Sequence, residues 1–124
     1  MGVSIIIPTL NEEKLLPIVL RHLRKYEVIV VDGGSKDKTV EIARKFGVLV
    51  IVSNKNVSIS RNIGSKLARN EILIHLDADT ILTEDLVSEV EKIMQDRRVS
   101  GGTFRLYPYD GSWHHALFLT TAAL

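Results

Sequence analysis

Residues 72–82 read ILIHLDADTIL, and this stretch sets the pattern for the whole chain. It opens with a mostly apolar run that does not alternate with polar residues, which is typical of a strand buried on both faces of a sheet. The run ends in two carboxylates, Asp77 and Asp79, separated only by Ala78. Like charges this close disfavour each other unless a cation or strong hydrogen-bond donors offset the repulsion. The stretch therefore predicts a buried strand that leads into a binding site.

Further runs of β-forming residues recur along the chain, and helical patterns lie between them. The strand-like runs cover residues 3–7, 27–31, 48–52, 71–76 and, more weakly, 99–106. The first four are nearly all apolar, so we expect them to be buried on both faces. Strands that alternate with helices imply βαβ units with right-handed crossovers. The fold class is therefore α/β, a three-layer α/β/α arrangement around a mostly parallel sheet.

The first two helical patterns have recognisable ends. The first covers residues 12–25, with Asn11 as the expected N-cap. Pro17 would remove a hydrogen bond inside that helix, so the regular helix is expected to begin only at Pro17. The second helix follows Asp37, a suitable cap, and ends before Gly47. Both assignments fit the crossover positions of the predicted sheet.

The third and fourth helical patterns carry apolar residues at helical spacing. The third begins near Ser58, and its residues at spacing four are Ile59, Ile63 and Leu67. The fourth starts after Thr83 with acidic residues in its first turn, which favours a helix N-terminus. Its expected buried residues are Leu86, Val90, Ile93 and Met94.

Composition narrows the class of protein and the kind of metal. The chain has 124 residues, 45% of them apolar and 25% charged, as expected for one soluble globular domain. A net charge of +1 without a basic block gives no case for nucleic acid. Without cysteine, a metal must be held by oxygen ligands or His, which favours Mg²⁺ or Mn²⁺.

The two ends of the chain suggest its location and extent. The N-terminus lacks the basic segment and the cleavage site of a signal peptide, so we expect a cytoplasmic protein. No apolar run reaches the roughly 18 residues that a membrane span requires. The sequence stops inside ALFLTTAAL without a cap, Gly or Pro. We therefore expect the chain to end before its function is complete.

Four polar loops follow the predicted strands, at the edge where parallel sheets bind ligands. They cover residues 8–12, 32–37, 53–61 and 77–80. In the last loop, paired carboxylates suit Mg²⁺ or Mn²⁺, which share their coordination with substrate phosphates. Asp77 and Asp79, two residues apart, would share one side of an extended chain. The alternative is structural, with Asp77 capping a turn and Asp79 solvated.

The second and third loops offer an acid and a cation. Asp32 follows a buried strand and precedes two glycines, which allow a ligand to approach the backbone closely. A carboxylate there could accept hydrogen bonds from a base or a ribose. Arg61 lies near a helix N-terminus, a position that favours anions, although a solvated surface charge is the alternative. No dinucleotide-binding or P-loop pattern occurs.

Taken in order, four stretches resemble the family 2 glycosyltransferases of the GT-A fold. They are VSIIIPTLNEEKLLPIVL, VIVVDGGSKDKTVEIARKFG, SRNIGSKLARNEILIHLDADTIL and GGTFRL, which together run from residue 3 to residue 106. The resemblance implies a Rossmann-like nucleotide-binding half, with all 124 residues forming a single domain that binds a nucleoside diphosphate sugar. Its D-x-D motif matches Asp77 and Asp79, which would hold Mn²⁺ or Mg²⁺. The implied substrate-binding residues are Pro8, Thr9, Asn11, Glu12, Asp32, Gly33, Ser35, Arg61, Asp77 and Ala78.

The resemblance also implies a reaction and its missing parts. The reaction is an inverting transfer of a sugar to an acceptor, in which a carboxylate base deprotonates the acceptor hydroxyl. In the family, the base and the acceptor site lie in a further segment, so we expect both outside this chain and assign no catalytic residue. The residues define neither the donor sugar nor the acceptor. Peripheral attachment at a membrane surface and a homodimer stay open.

The same residues allow three other interpretations, of which a nucleotidyltransferase is weakened by the absence of a Gly- and Lys-rich phosphate loop near the N-terminus. LDADT also resembles the D-x-D-x-T signature of haloacid-dehalogenase-like phosphatases, in which Asp77 would be the nucleophile. In that family, however, the motif follows the first strand and needs a lysine and a further acidic pair downstream. The third interpretation is a domain that binds a sugar nucleotide without turnover.

Overall fold

The computed structural model describes residues 2–104 and 117–121 of the chain. The strands are β1 (Val3–Thr9), β2 (Glu27–Asp32), β3 (Leu49–Val52), β4 (Ile72–His75), β5 (Val99–Phe104) and β6 (Leu117–Thr121). The helices are α1 (Leu16–Arg21), α2 (Thr39–Lys45), α3 (Val57–Leu67) and α4 (Glu84–Met94). Arg105 and Leu106, the last two residues of the stretch that carries the family resemblance, lie outside the described residues.

Four strands form a parallel sheet, as the sequence predicts. Their order is β3-β2-β1-β4, and every neighbouring pair runs parallel. The weak fifth run does not extend this sheet, because β5 pairs antiparallel with β6 in a separate two-stranded sheet. The expectation of full burial is wrong for β4, in which Leu73 is only partly buried and His75 is exposed, and it is wrong for β3. This strand is at one end of the described sheet, and Leu49 and Val52 are 48% and 44% exposed.

The sheet has helices on both faces, which confirms the three-layer arrangement. On β1, Ile5 and Ile7 point into a core shared with buried residues of α1, α2 and α4. Ile6 points to the opposite face, where Gly64 of α3 lies directly against it. Strand side chains alternate between faces, so β1 contributes fully buried residues to both layers.

The apolar stripe predicted on α3 is not the face that packs on the sheet. Ser60 and Gly64 are the buried residues of this helix, whereas Ile59 and Leu67 are each 42% exposed. Small residues at this interface allow the helix backbone to approach the strands closely. A Cβ added at Gly64 would overlap Ile6 Cγ2 and would lie 3.1 Å from Ile6 Cγ1. Close approach, rather than apolar spacing, therefore selects the buried face of α3.

We expect Gly64→Ala to lower the free energy of unfolding by about 1–3 kcal/mol, because Ile6 is fully buried and cannot move aside cheaply. Chemical denaturation would measure the change. Lys66→Ala on the same helix is the matched control, since Lys66 is exposed and its replacement should alter stability by less than about 0.5 kcal/mol. A fully stable Gly64→Ala variant would contradict the close helix–sheet contact.

Several predicted helix ends need correction. The regular α1 begins at Leu16, one residue before Pro17, and ends at Arg21 rather than at residue 25. Asn11 is not its N-cap, because that position is Leu15. Lys38 is at the N-cap of α2, although Asp37 Oδ1 still accepts the N–H of Thr39 at 2.9 Å.

Other helix assignments are closer to the structure. Gly47 follows the end of α2 with φ of 75°, as expected of a C′ glycine. Thr83 caps α4 by accepting the N–H of Leu86. Val90 is buried in that helix as predicted, and Val87 is buried although the sequence did not single it out. Among the described residues, no helix combines the length and apolar character needed to cross a membrane.

Candidate functional site

The loops after the parallel strands meet at one edge of the sheet and enclose a groove of about 380 Å³. Parallel register brings them together, since Thr9 at the end of β1 is level with Asp32 at the end of β2. The groove is lined by Pro8, Thr9, Leu10, Glu12, Gly33, Lys55, Asn56, Val57, Ser60, Asp77, Ala78 and Asp79. The structure thus brings all four predicted loops to one place.

Asp32 is fully buried, and both oxygens of its carboxylate accept hydrogen bonds from the protein. Oδ1 accepts from Thr9 Oγ1 at 2.7 Å and from Ser35 Oγ at 2.6 Å. Oδ2 accepts the backbone N–H groups of Gly34 at 2.9 Å and Ser35 at 2.7 Å. These bonds tie the first loop to the second. The geometry places Asp32 behind the groove, where it holds the loops that form it.

The hydrogen bonds around Asp32 also keep it ionised. Burial by itself would raise the pKa of this carboxyl group, but the bonds donated by Ser35, Thr9 and Gly34 lower it by more. The net result is a pKa below the ordinary value. Asp32 therefore carries a stable negative charge beneath the groove.

Asn11 and Ser35 join the same two loops and are engaged with protein atoms. The backbone N–H of Asn11 donates to Ser35 Oγ at 2.8 Å, and Asn11 Oδ1 accepts the N–H of Lys36 at 2.9 Å. Asn11 adopts φ of 54°, a conformation that Asn tolerates better than most residues. Both predicted substrate-binding residues thus lie beside the groove with these polar atoms already bonded.

Asp77 and Asp79 both line the groove, but they lie on a turn rather than on an extended chain. The N–H of Thr80 donates to the carbonyl of Asp77 at 3.1 Å, which closes a turn over residues 77–80. Both side chains are exposed, while Ala78 between them is buried in the core. The turn therefore presents two carboxylates to the groove and anchors them through Ala78.

Glu12 adds a third acid to the groove. The pKa of its carboxyl group is raised, first by burial and then by the negative charges of Asp79, Asp37 and Asp77. Its backbone N–H donates to Thr39 Oγ1 at 2.8 Å, which fixes the first loop against α2. Beyond the effect of burial, the raised pKa reflects nearby negative charges that a bound cation would offset.

Arg61 contacts the acidic pair from α3. One terminal nitrogen, Nη2, lies 3.4 Å from Asp77 Oδ1, and both side chains are about half exposed. The Nε of Arg61 is buried and has no hydrogen-bond partner among the described residues. An unpaired buried donor is costly, and because the Nε is enclosed, an acceptor such as a phosphate oxygen could reach only the half-exposed remainder of the Arg61 guanidinium.

Gly33 brings the second and third loops into contact. A Cβ on this residue would lie 3.1 Å from the carbonyl oxygen of Lys55.

Sequence reasoning did not single out five of the groove residues, namely Leu10, Lys55, Asn56, Val57 and Ser60. Four of them lie in the third predicted loop, so their position after a parallel strand was the only sequence feature that could have indicated them. Asn56 caps α3 by accepting the N–H of Ile59, which places the helix start at the groove.

The acids fit a hard divalent cation that is held partly by its substrate. No group of three or more His, Cys, Asp or Glu residues in the described part of the chain could hold a metal by itself. Mg²⁺ and Mn²⁺ are commonly bound by one or two carboxylates together with substrate phosphates. That donor set is provided by Asp77 and Asp79. Both are exposed on the same groove, and the guanidinium of Arg61 lies close to Asp77.

This fold and site define an α/β domain with a nucleotide-binding topology and an acidic groove at its strand ends. The family model described as Glycosyl transferase family 2 matches residues 4–120, so the chain belongs to that family. It is 36% identical over 122 residues to the 4,4'-diaponeurosporenoate glycosyltransferase of Staphylococcus haemolyticus, with 87% of this chain and 32% of the relative covered. It is 34% identical over 115 residues to human dolichyl-phosphate beta-glucosyltransferase, covering 75% and 36% of the two chains.

Solved structures agree with the GT-A fold. Residues 1–349 of Staphylococcus aureus TarS match with a TM-score of 0.70 and 26% identity, over 80% of this chain and 34% of that one. Glucosyl-3-phosphoglycerate synthase from Mycobacterium tuberculosis, solved with Mg²⁺ and uridine diphosphate, matches with a TM-score of 0.54 and 25% identity, over 64% and 34%. The chain spans about a third of the length of these two curated relatives. These findings do not favour the phosphatase interpretation.

Proposed function

We propose that this chain is the donor-binding part of a family 2 glycosyltransferase and binds a nucleoside diphosphate sugar together with Mg²⁺ or Mn²⁺. The observation that carries the proposal is the Asp77–Asp79 turn, which presents two exposed carboxylates to a groove at the strand ends. The neighbouring synthase solved with Mg²⁺ and uridine diphosphate supports the choice of ligand. The family match over residues 4–120, which includes both acids, supports it further.

In this proposal, each group on the groove has a distinct task. Asp77 and Asp79 hold the cation, which when bound neutralises charge on the diphosphate leaving group. Arg61, whose half-exposed guanidinium lies 3.4 Å from Asp77, donates to a phosphate oxygen beside the acidic pair. Pro8, Thr9 and Gly33 form the groove wall for the nucleoside. Asp32, Asn11 and Ser35 fix the loops that carry these groups.

We further infer an acceptor with a long hydrocarbon chain. Curated relatives are named for 4,4'-diaponeurosporenoate, dolichyl phosphate and, in Pseudomonas aeruginosa, undecaprenyl phosphate. The inverting displacement implied by the resemblance needs a base only where the acceptor nucleophile is a hydroxyl, since an acceptor phosphate attacks through its own anionic oxygen, and we assign a base to none of the described residues. The single-domain organisation and a homodimer stay predictions.

A thermal-shift panel tests donor binding directly. Uridine and guanosine diphosphate sugars are added with Mn²⁺, with Mg²⁺ or with a chelator, and the melting temperature is followed. At a ligand concentration about 100 times its dissociation constant, binding adds about 2.7 kcal/mol of stability. For a domain of this size the melting temperature should rise by about 10 °C.

The pattern across the panel separates the interpretations. A rise with at least one sugar nucleotide that requires the divalent ion supports the proposal. Hydrolysis of an aryl phosphate without stabilisation by any nucleotide would instead support the phosphatase interpretation. Stabilisation without sugar transfer by the full-length protein would indicate a binding domain without turnover.

A further inference from the structure

The outward side of α1 combines exposed aliphatic residues with cations. Leu15 and Ile18 are 45% and 38% exposed, whereas Leu16, Val19 and Leu20 are buried on the opposite side. Arg21 is also exposed, and its spacing of three from Ile18 puts it on the same side of the helix, while the exposed Lys14 lies in the turn just before α1. Leu10, 57% exposed, lies in the loop that precedes α1 and lines the groove. We call Leu10, Lys14, Leu15, Ile18 and Arg21 the α1 surface.

The charge of this region differs from that of the rest of the chain. Residues 14–26 contain four of the 16 Lys and Arg residues and no Asp or Glu. The rest of the chain has 12 basic and 15 acidic residues, and therefore a net charge of −3. The α1 region is therefore a positive patch on an otherwise acidic protein.

Two of these four cations have partners in the structure. Lys25 pairs with Glu84 at 3.0 Å, and the Arg24 guanidinium lies 5.3 Å from the centre of the Phe46 ring. Lys14 and Arg21 form no ion pair within the described part of the chain. These last two cations are the ones that precede and follow the exposed Ile18 most closely along the chain.

We propose that the α1 surface binds the face of a membrane that contains anionic lipids. Aliphatic side chains interleaved with cations suit the boundary between acyl chains and head groups, where Leu and Ile insert and Lys and Arg meet lipid phosphates. Leu10 belongs both to the α1 surface and to the lining of the groove. In this proposal the groove would therefore open beside the lipid. The inference stands on exposure and charge, and does not depend on the proposed sugar donor.

Vesicle co-sedimentation of the 124-residue chain tests this proposal. The probes are vesicles of phosphatidylglycerol mixed with phosphatidylcholine and vesicles of phosphatidylcholine alone. Binding is expected to the anionic vesicles and to fall when salt rises from about 0.1 to about 1 M, since the Debye length drops from about 10 to about 3 Å. Equal binding to both kinds of vesicle would overturn the proposal, and so would a lack of binding to either.

Paired variants locate the binding surface. Ile18→Gln combined with Arg21→Gln should weaken partitioning at least about tenfold, because one cation alone contributes about fivefold. Lys66→Gln combined with Leu67→Gln makes the same kind of chemical change on exposed residues of α3 and should leave binding unchanged. If both double variants lost vesicle binding equally while keeping their melting temperatures, the assignment to α1 would be overturned.

Backbone amide exchange gives an independent readout. Anionic vesicles should slow exchange selectively around residues 14–21 of the unaltered chain, and absence of that protection would also overturn the proposal. The nucleotide-dependent rise in melting temperature should be the same in the variant that combines Ile18→Gln with Arg21→Gln as in the unaltered chain. Failure of membrane binding and failure of donor binding are thus separate results.

Discussion

Asp79→Asn is expected to remove most of the rise in melting temperature that Mn²⁺ and a sugar nucleotide produce together. Asp79 is exposed on the groove, and its side chain accepts a hydrogen bond only from the neighbouring Thr80 among the described residues, at 3.3 Å. The ligand-free fold should therefore tolerate the change well. Asp77 is a less clean target, because its carboxylate also lies 3.4 Å from Arg61.

The expected size of the effect follows from the loss of one metal ligand. Residues that merely support metal ligands alter affinity by about 10- to 100-fold, so loss of a ligand should reach about 100-fold. At a ligand concentration about 100 times the dissociation constant of the unaltered chain, binding stabilises that chain by about 2.7 kcal/mol. The variant would then be stabilised by only about 0.4 kcal/mol, and its melting temperature would rise by less than about 2 °C. Asp85→Asn, the same change on α4, should keep the full shift.

A second readout would show that Asp79 acts through the groove. The negative charge of Asp79 raises the pKa of the Glu12 carboxyl group, so the pKa of Glu12 should fall in Asp79→Asn. A titration followed by NMR would measure the change without any ligand. If the Mn²⁺-dependent shift survived in this variant, the metal could not be held by the Asp77–Asp79 turn.

Asp32→Asn is expected to lower the free energy of unfolding by about 2–4 kcal/mol. The carboxylate is fully buried and accepts four hydrogen bonds. An amide can accept through only one atom, so its NH₂ group would face donors, and buried donors would be left unsatisfied. Such a loss is a large share of the stability of an ordinary domain.

The pH dependence of stability should identify this carboxylate. The pKa of Asp32 is lower in the folded protein than in an unfolded chain, so its ionised form stabilises the fold. That contribution is complete above about pH 4 and is lost as the pH falls through the folded-state pKa. The difference in stability between the unaltered chain and Asp32→Asn should therefore shrink on acidification.

Asp96→Asn is the matched control for Asp32→Asn. Asp96 has an exposed ion pair with Arg98 at 2.9 Å, and pairs of this kind contribute less than about 1 kcal/mol. Chemical denaturation of the three proteins across the acid range would measure both effects. Similar losses from the two substitutions would show that the buried network around Asp32 contributes little beyond a surface charge.

Local sequence pattern predicted the parallel strands well. Continuous apolar runs predict strands because a strand covered on both faces needs apolar side chains in both directions. This reasoning located β1, β2 and β4, whose residues pair in parallel register. It overestimated the burial of β3, because an apolar run does not reveal which strand is at the end of a sheet.

The helices show where local pattern is insufficient. Apolar spacing on α3 indicated Ile59, Ile63 and Leu67, but Ser60 and Gly64 are the buried residues. Small side chains give no apolar signal, and their value arises only when a second element approaches closely. The tertiary contact with Ile6 therefore determined this face.

The sequence by itself determined the α/β class, the strand-end loops and the acidic pair, because each depends on residues that are close along the chain. Only the tertiary structure decided how these residues act. Asp32 could be seen as an acid after a strand, but its four donors come from two loops that parallel pairing of β1 and β2 brings together. Likewise, the raised pKa of Glu12 depends first on its burial and then on charges that include Asp77 and Asp79, more than sixty residues further along the chain. Electrostatic and hydrogen-bond effects act through space, so they follow the fold rather than the sequence order.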